Sequence, residues 1–141
     1  MRKIFLDTHI LLSDFYHRYP EFGSIRNPYP ESQEKLRRLR EKIHENLLKM
    51  SLEPDVMVCT SVPALARMGS VLSEWKVPGE LVREEISYWI SQISVLEVKP
   101  RHLEATLDEL SLPGNQEISF DEMLNRLVCM ENGIGEIFRI E

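Results

Sequence analysis

Cysteine is scarce: only Cys59 and Cys129 occur, each inside an apolar run. That suits two reduced core side chains better than a disulfide or a metal pair. Glycine is sparse too, with six scattered residues. Neither a GxGxxG nor a Walker A pattern occurs, which excludes a phosphate-cradling loop of those kinds. No apolar run approaches ~18 residues, so no segment reads as a membrane span. The apolar stretch near the N-terminus is cut at Asp7, so it is not read as a signal peptide, and a cytoplasmic protein is expected. Positive charge is not in excess: 17 Lys and Arg face 23 Asp and Glu, a net charge of −6. That counts mildly against nucleic acid as a partner, although an acidic protein can still bind RNA through a basic patch or metal ions. The four histidines, His9, His17, His44 and His102, lack metal-ligand spacing, and His44 and His102 are expected on helix surfaces. No repeat, low-complexity tract or linker is present. What remains is an ordinary apolar share of 43% in 141 residues, enough for one domain, 1–141, with a proper core.

The segment Ile4–Phe15 organises the rest. Ile4, Phe5 and Leu6 are consecutive and apolar, which suits a strand covered on both faces. The run stops at Asp7. Thr8 then caps a helix whose buried side is Ile10, Leu11 and Leu12. A loop at about Arg18–Pro30 follows, because Pro20, Pro28 and Pro30 oppose a helix. Its aromatics, Tyr19, Phe22 and Tyr29, either stack on bases or pin the loop to the body, and pinning is preferred. Ser32 caps the next helix, with Leu36, Leu39, Ile43, Leu47 and Met50 as its stripe. This is the most basic part of the chain. It reads as a solvated face with pairs such as Glu34–Arg38 and Glu45–Lys49, or as a phosphate-backbone contact.

Val56–Cys59 is a second buried-type strand, closing at Thr60-Ser61. Ala64, Leu65, Met68, Val71 and Leu72 mark the helix after it. Pro78 opens another, with Val82, Ile86, Trp89, Ile90 and Ile93 inward. Val95–Val98 is a short strand. Leu103, Leu107 and Leu110 mark a helix that Pro113-Gly114 stops. Ser119 opens the last helix, Asn132-Gly133 ends it left-handed, and Glu136–Ile140 is a final strand. Four strands alternating with helices imply an α/β fold, a parallel sheet with helices on both faces.

Strand C-termini and the helix N-termini that follow them share one edge of a parallel sheet, where ligands bind. Asp7, then Asp121 and Glu122, then Glu141 are placed to meet there. Clustered acids repel unless a cation is present, and they offer the hard oxygens that Mg²⁺ or Mn²⁺ prefers. Such a site activates water against a phosphodiester. Each acid also has a purely structural use. Asp7 can help cap the first helix. Ser119-Phe-Asp-Glu122 matches a capping box, Asp121 suits a helix N-terminus, and Glu141 also reads as a frayed end. No nucleophile–base pair stands out. Asp7-Thr-His lacks the second aspartate that a phosphotransferase of the haloacid dehalogenase type carries.

Phe5-Leu-Asp-Thr-His-Ile-Leu-Leu resembles the opening of PIN domains, where a strand ends in Asp-Thr-Asn. Thr60-Ser-Val-Pro-Ala-Leu-Ala66 is similar to their second strand and turn. Ser119-Phe-Asp-Glu-Met-Leu-Asn, followed by Asn132-Gly and the close at Glu141, is similar to their acid, apolar helix and terminal strand. The resemblance runs nearly end to end. It implies a three-layer sandwich and, for most members, an endoribonuclease dependent on Mg²⁺ or Mn²⁺, often the VapC-like toxin of a toxin–antitoxin pair. It assigns catalysis to Asp7, Glu122 and Asp121, metal binding to Asp7, Glu122 and Glu141, and substrate contacts to Thr8, His9, Ser61 and Arg67. RNA, an antitoxin protein and a second copy of the chain are the partners it implies. The departures are His9 for the usual Asn, Arg67 for the second acid and Arg139 for the Thr of the final strand. They leave open a non-catalytic scaffold in which Arg67 pairs with Asp7 or Glu122, and a toxin active only as a dimer.

Overall fold

The apolar opening run lies at the centre of a sheet. A computed structural model of the chain describes residues 1–23 and 30–139. β1 (Arg2–Phe5) pairs in parallel with β2 (Val56–Ser61) and β4 (Glu136–Ile137), and β2 pairs with β3 (Ser94–Leu96). The order is β3-β2-β1-β4, four parallel strands among the described residues. Between them run α1 (Thr8–Arg18), α2 (Pro20–Gly23), α3 (Pro30–Ser51), α4 (Val62–Glu74), α5 (Gly79–Gln92), α6 (Pro100–Leu110) and α7 (Phe120–Glu131). The chain steps one way from β1 to β3, then returns to the far side of β1. Right-handed crossovers therefore place α1–α5 on one face and α6–α7 on the other. The packing agrees: α1 lies on α3 and α4, α4 on α5, and α6 on α7. This is the three-layer α/β sandwich expected.

Ile4, Phe5, Leu6, Leu11, Phe15, Met68, Leu72 and Val128 form the dry centre, each contributing about 1.5–3 kcal/mol of burial. Both cysteines are buried and free. Burial pushes the Cys59 thiol up to about 11 and the Cys129 thiol up to about 12, so both stay protonated and inert at neutral pH.

Several expectations need correcting. The stretch after α1 is not all loop. Pro20 occupies the first position of α2, where a missing N–H costs nothing. Tyr19 and Phe22 stack on Phe15 at 4.9 and 6.0 Å, which is the pinning role. Pro28 and Tyr29 lie outside the described residues. α3 begins two residues before Ser32, and β4 is described only as Glu136–Ile137. On α3, Arg38 bonds Glu34 at 3.2 Å as expected. Bonds from Arg37 first, with Arg38 adding, lower the Glu34 carboxyl to about 2. The Glu45–Lys49 pair does not form among the described residues. His102 is not a surface residue. It is buried, accepting the Lys99 N–H at Nδ1 (2.8 Å) and meeting Glu131 through Nε2. His44 is half-buried, its Nδ1 2.7 Å from Asp14.

Asp14 belongs to an ionic cluster that hydropathy does not reveal. Asp14 and Glu85 are both buried. Arg18 joins them, bonding Asp14 at 3.0 Å and also Glu85, which accepts from the Trp89 indole at 2.9 Å. Burial pulls the Arg18 guanidinium down, but its bonds to Glu85 and Asp14 outweigh this and leave it raised. The cluster ties α1 to α3 and α5.

Two helix ends show the same geometry with different residues. After α7, Gly133 has φ +70°, and Ile134 N–H reaches the Cys129 carbonyl at 2.9 Å. After α4, Lys76 takes φ +60°, and Val77 N–H reaches the Leu72 carbonyl at 3.0 Å. Both are Schellman ends, and glycine suits the left-handed position. Lys76→Gly is therefore expected to raise unfolding stability by about 0.5–1 kcal/mol in urea titrations. Arg18→Ala is expected to lower it by about 3 kcal/mol or more, because two buried carboxylates lose their cation. Arg18→Lys should recover only part of that loss, since one ammonium cannot bond both acids as the guanidinium fork does.

Candidate acidic site at the strand ends

The register of β1 on β2 runs from Arg2↔Val56 to Phe5↔Cys59. It continues past the strands, with Leu6 N–H bonding the Cys59 carbonyl at 2.8 Å and Thr60 Oγ1 donating to the Leu6 carbonyl at 2.7 Å. One step further sets Asp7 level with Ser61. Each of these residues is the N-cap of the helix it precedes. Asp7 Oδ1 accepts the Ile10 N–H at 3.2 Å, and Ser61 Oγ accepts the Ala64 N–H at 3.1 Å. The cap of α1 is thus Asp7, one residue earlier than the Thr8 expected. Thr8 instead donates to the Ala64 carbonyl at 3.1 Å, tying the first turns of α1 and α4 together.

A third helix joins this rim. Ser61 Oγ donates to Asn125 Oδ1 at 2.5 Å, which fastens α7 to the end of β2. Asn125 lies three residues after Glu122 and four after Asp121, so both acids share its side of the helix. Sequence reasoning missed Asn125. The available signal was an amide set between the apolar positions Leu124 and Val128 of a buried stripe. Ser119 caps α7 by accepting the Glu122 N–H at 3.2 Å. The other half of the expected capping box is absent: the Glu122 carboxylate instead accepts from Arg126 at 2.9 Å on the exposed surface.

The remaining site residues fall as follows. His9 and Asp121 are exposed, and Asp7 is half-buried with Oδ2 outside the cap bond. Ser61 is fully buried and its hydrogen bonds are internal, so it is a positioning residue and not the substrate contact expected. Arg67, on α4, is exposed and makes no ion pair among the described residues. Glu141 lies outside the described residues. The structure therefore gathers Asp7, Thr8, Ser61 and Asn125 at one edge, with Asp121 and Glu122 on the helix that Asn125 anchors.

The acids at the rim are hard-oxygen donors of the kind Mg²⁺ and Mn²⁺ take, and such ions keep several waters beside one or two carboxylates. Among the described residues, however, no three His, Cys, Asp or Glu side chains group as a metal site. The described residues alone therefore do not assemble a complete cation site. Two helix N-termini, those of α1 and α4, start at this edge, which favours negative charge there before any metal binds.

Removing the Asn125 acceptor would strand a buried hydroxyl. Asn125→Ala should cost about 1–2 kcal/mol in denaturant unfolding. Asn125→Asp, which keeps an acceptor oxygen in place, should cost less.

No family model and no curated protein matches the sequence. Among solved structures, the crystal structure of VapC20 from Mycobacterium tuberculosis, a sarcin-ricin loop cleaving toxin, superposes with a TM-score of 0.60. It is 16% identical, and the match covers 98% of this chain and 89% of that one. The fold of this chain is therefore the PIN-type fold of VapC20, in a divergent sequence.

Proposed function

We propose that this chain is a divergent endoribonuclease of the PIN type, dependent on Mg²⁺ or Mn²⁺ and acting as the toxin of a toxin–antitoxin pair. The observation that carries this reading is the Ser61–Asn125 bond. It ties α7, one turn after Asp121 and Glu122, to the end of β2, and this supports the reading. Asp7 and Glu122 are the proposed cation ligands, with Asp121 or Glu141 completing the set. Asp7 keeps one oxygen outside its cap, and Glu122 is held only by a surface pair with Arg126, a contact of little worth. A bound cation would supply water activation and charge neutralisation at a phosphodiester. Arg67 is proposed to hold a substrate phosphate, since a guanidinium matches phosphate oxygens in pairs. Thr8 and His9, in the first turn of α1, are proposed as further RNA contacts. VapC20 is a sarcin-ricin loop cleaving toxin, and RNA is proposed as the substrate here, with an antitoxin protein as partner.

The scaffold alternative requires Arg67 to neutralise Asp7 or Glu122 from within. The contacts of both acids favour the enzyme instead, because Asp7 bonds the Ile10 amide and Glu122 bonds Arg126. Incubation with a pool of structured RNA and Mn²⁺ tests the proposal. Cleavage is expected, lost with EDTA, and reduced by about 10²-fold or more in Asp7→Asn and Glu122→Gln. Cleavage that survives Asp7→Asn would refute it, as would an absence of both cleavage and saturable Mn²⁺ binding at millimolar metal.

A further inference from the structure

α6 lies with its polar side inward. The positions it buries are His102 and Thr106, at 7% and 0% exposure, while Leu103 and Leu107 stand at 41% and 59%. Leu110 follows at the same helical spacing, so the stripe that reads as a core face in the sequence lies on the flank of the helix. The orientation is fixed by satisfied polar groups. Thr106 Oγ1 donates to the His102 carbonyl at 2.7 Å, His102 Nδ1 accepts from Lys99 N–H at 2.8 Å, and Nε2 meets Glu131 on α7. The His102 bond first, with Arg101 adding, holds the Glu131 carboxyl below the usual carboxylate range. Rotating α6 to bury its leucines would break these bonds and strand buried polar groups.

The charges beside the stripe are one-sided. Glu104 and Asp108 follow Leu103 and Leu107 by one residue each, so two acids run parallel to two leucines along the helix. Both acids are exposed, and neither makes an ion pair among the described residues. The nearest cation in sequence, Arg101, is already bonded to Glu131. The face therefore presents apolar knobs beside uncompensated negative charge, on a chain of net charge −6.

We infer that the Leu103–Leu107 flank of α6 is a docking face for a basic amphipathic helix of a partner protein. Leucine-type anchors of that helix pack on Leu103, Leu107 and Leu110, and Lys or Arg beside them meets Glu104 and Asp108. The charges steer the encounter and set selectivity, and the apolar contact holds the complex. The inference does not depend on the nuclease reading.

The test is selection of a displayed library of amphipathic helices, varied in charge, against the full chain. Retained clones are expected to carry apolar residues at three- and four-residue spacing with net positive charge. They should bind the Leu103→Ser/Leu107→Ser variant roughly tenfold or more weakly, and weaken with salt. Circular dichroism checks that this variant is folded. The charge reversal Glu104→Lys/Asp108→Lys provides a second arm and should shift selection to acidic clones. Retained clones of neutral or acidic character on the parent chain overturn the inference. So does equal binding to the serine variant, or no enrichment at all. Sedimentation showing a dimer that the serine variant dissolves would assign the face to a second copy and overturn it as well.

Discussion

The parallel register of β1 on β2 is the constraint on which the rest depends. It ends both strands at one level, so that two consecutive strand-to-helix turns leave the sheet side by side. Each turn needs an acceptor for the orphan amides of its helix. Asp7 supplies one and Ser61 the other. Slipping the pairing by one residue would move Ile4 and Leu6 to the opposite face of the sheet and separate the two caps. The dry centre therefore enforces the geometry of the rim.

Ser61 carries this constraint to the third helix. Its hydroxyl accepts from its own helix and donates to Asn125, so one buried group serves as cap and as tie. That dual use explains why a small hydroxyl, fully buried, sits where a strand ends. It also explains how acids more than a hundred residues apart in sequence are referred to one edge. The cation binding proposed for Asp7 does not compete with its cap, which engages a single oxygen.

What the sequence reveals and what it conceals divide along a physical line. Periodicity reports where an element is, and the strands at Ile4–Leu6 and Val56–Cys59 and the glycine stop at Gly133 were readable on that basis. Periodicity does not report which side of an amphipathic helix is satisfied internally. Leu103, Leu107 and Leu110 have the spacing of a core stripe, yet the inward face is His102 and Thr106. Hydropathy cannot register that those polar groups find partners on Glu131 and on the helix backbone. The same limit hid Asp14 and Glu85, which look solvated until Arg18 is placed between them. At the rim the acids were legible, and the Asn125 link that anchors two of them was not. An amide inside an apolar stripe announces a buried partner only once the opposing strand is known.

The electrostatics separate two kinds of charge in this molecule. Asp14 and Glu85 are withdrawn from water and paired with the half-buried Arg18, and removing that cation leaves two buried charges in a low dielectric. At the strand ends the pairing is loose: Glu122 shares a solvated bond with Arg126, and Arg67 has no acid opposite it among the described residues. A stability role favours the first arrangement and gains almost nothing from the second. A site that must take up and release a polyanion needs the reverse, with charges that stay hydrated and available. The loose pairing of Glu122 and of Arg67, set against the closed cluster among α1, α3 and α5, supports the proposed ligand-exchanging role. It also weighs against Arg67 as a fixed internal substitute for a cation, because such a substitute would have to be as tightly bonded as Arg18 is.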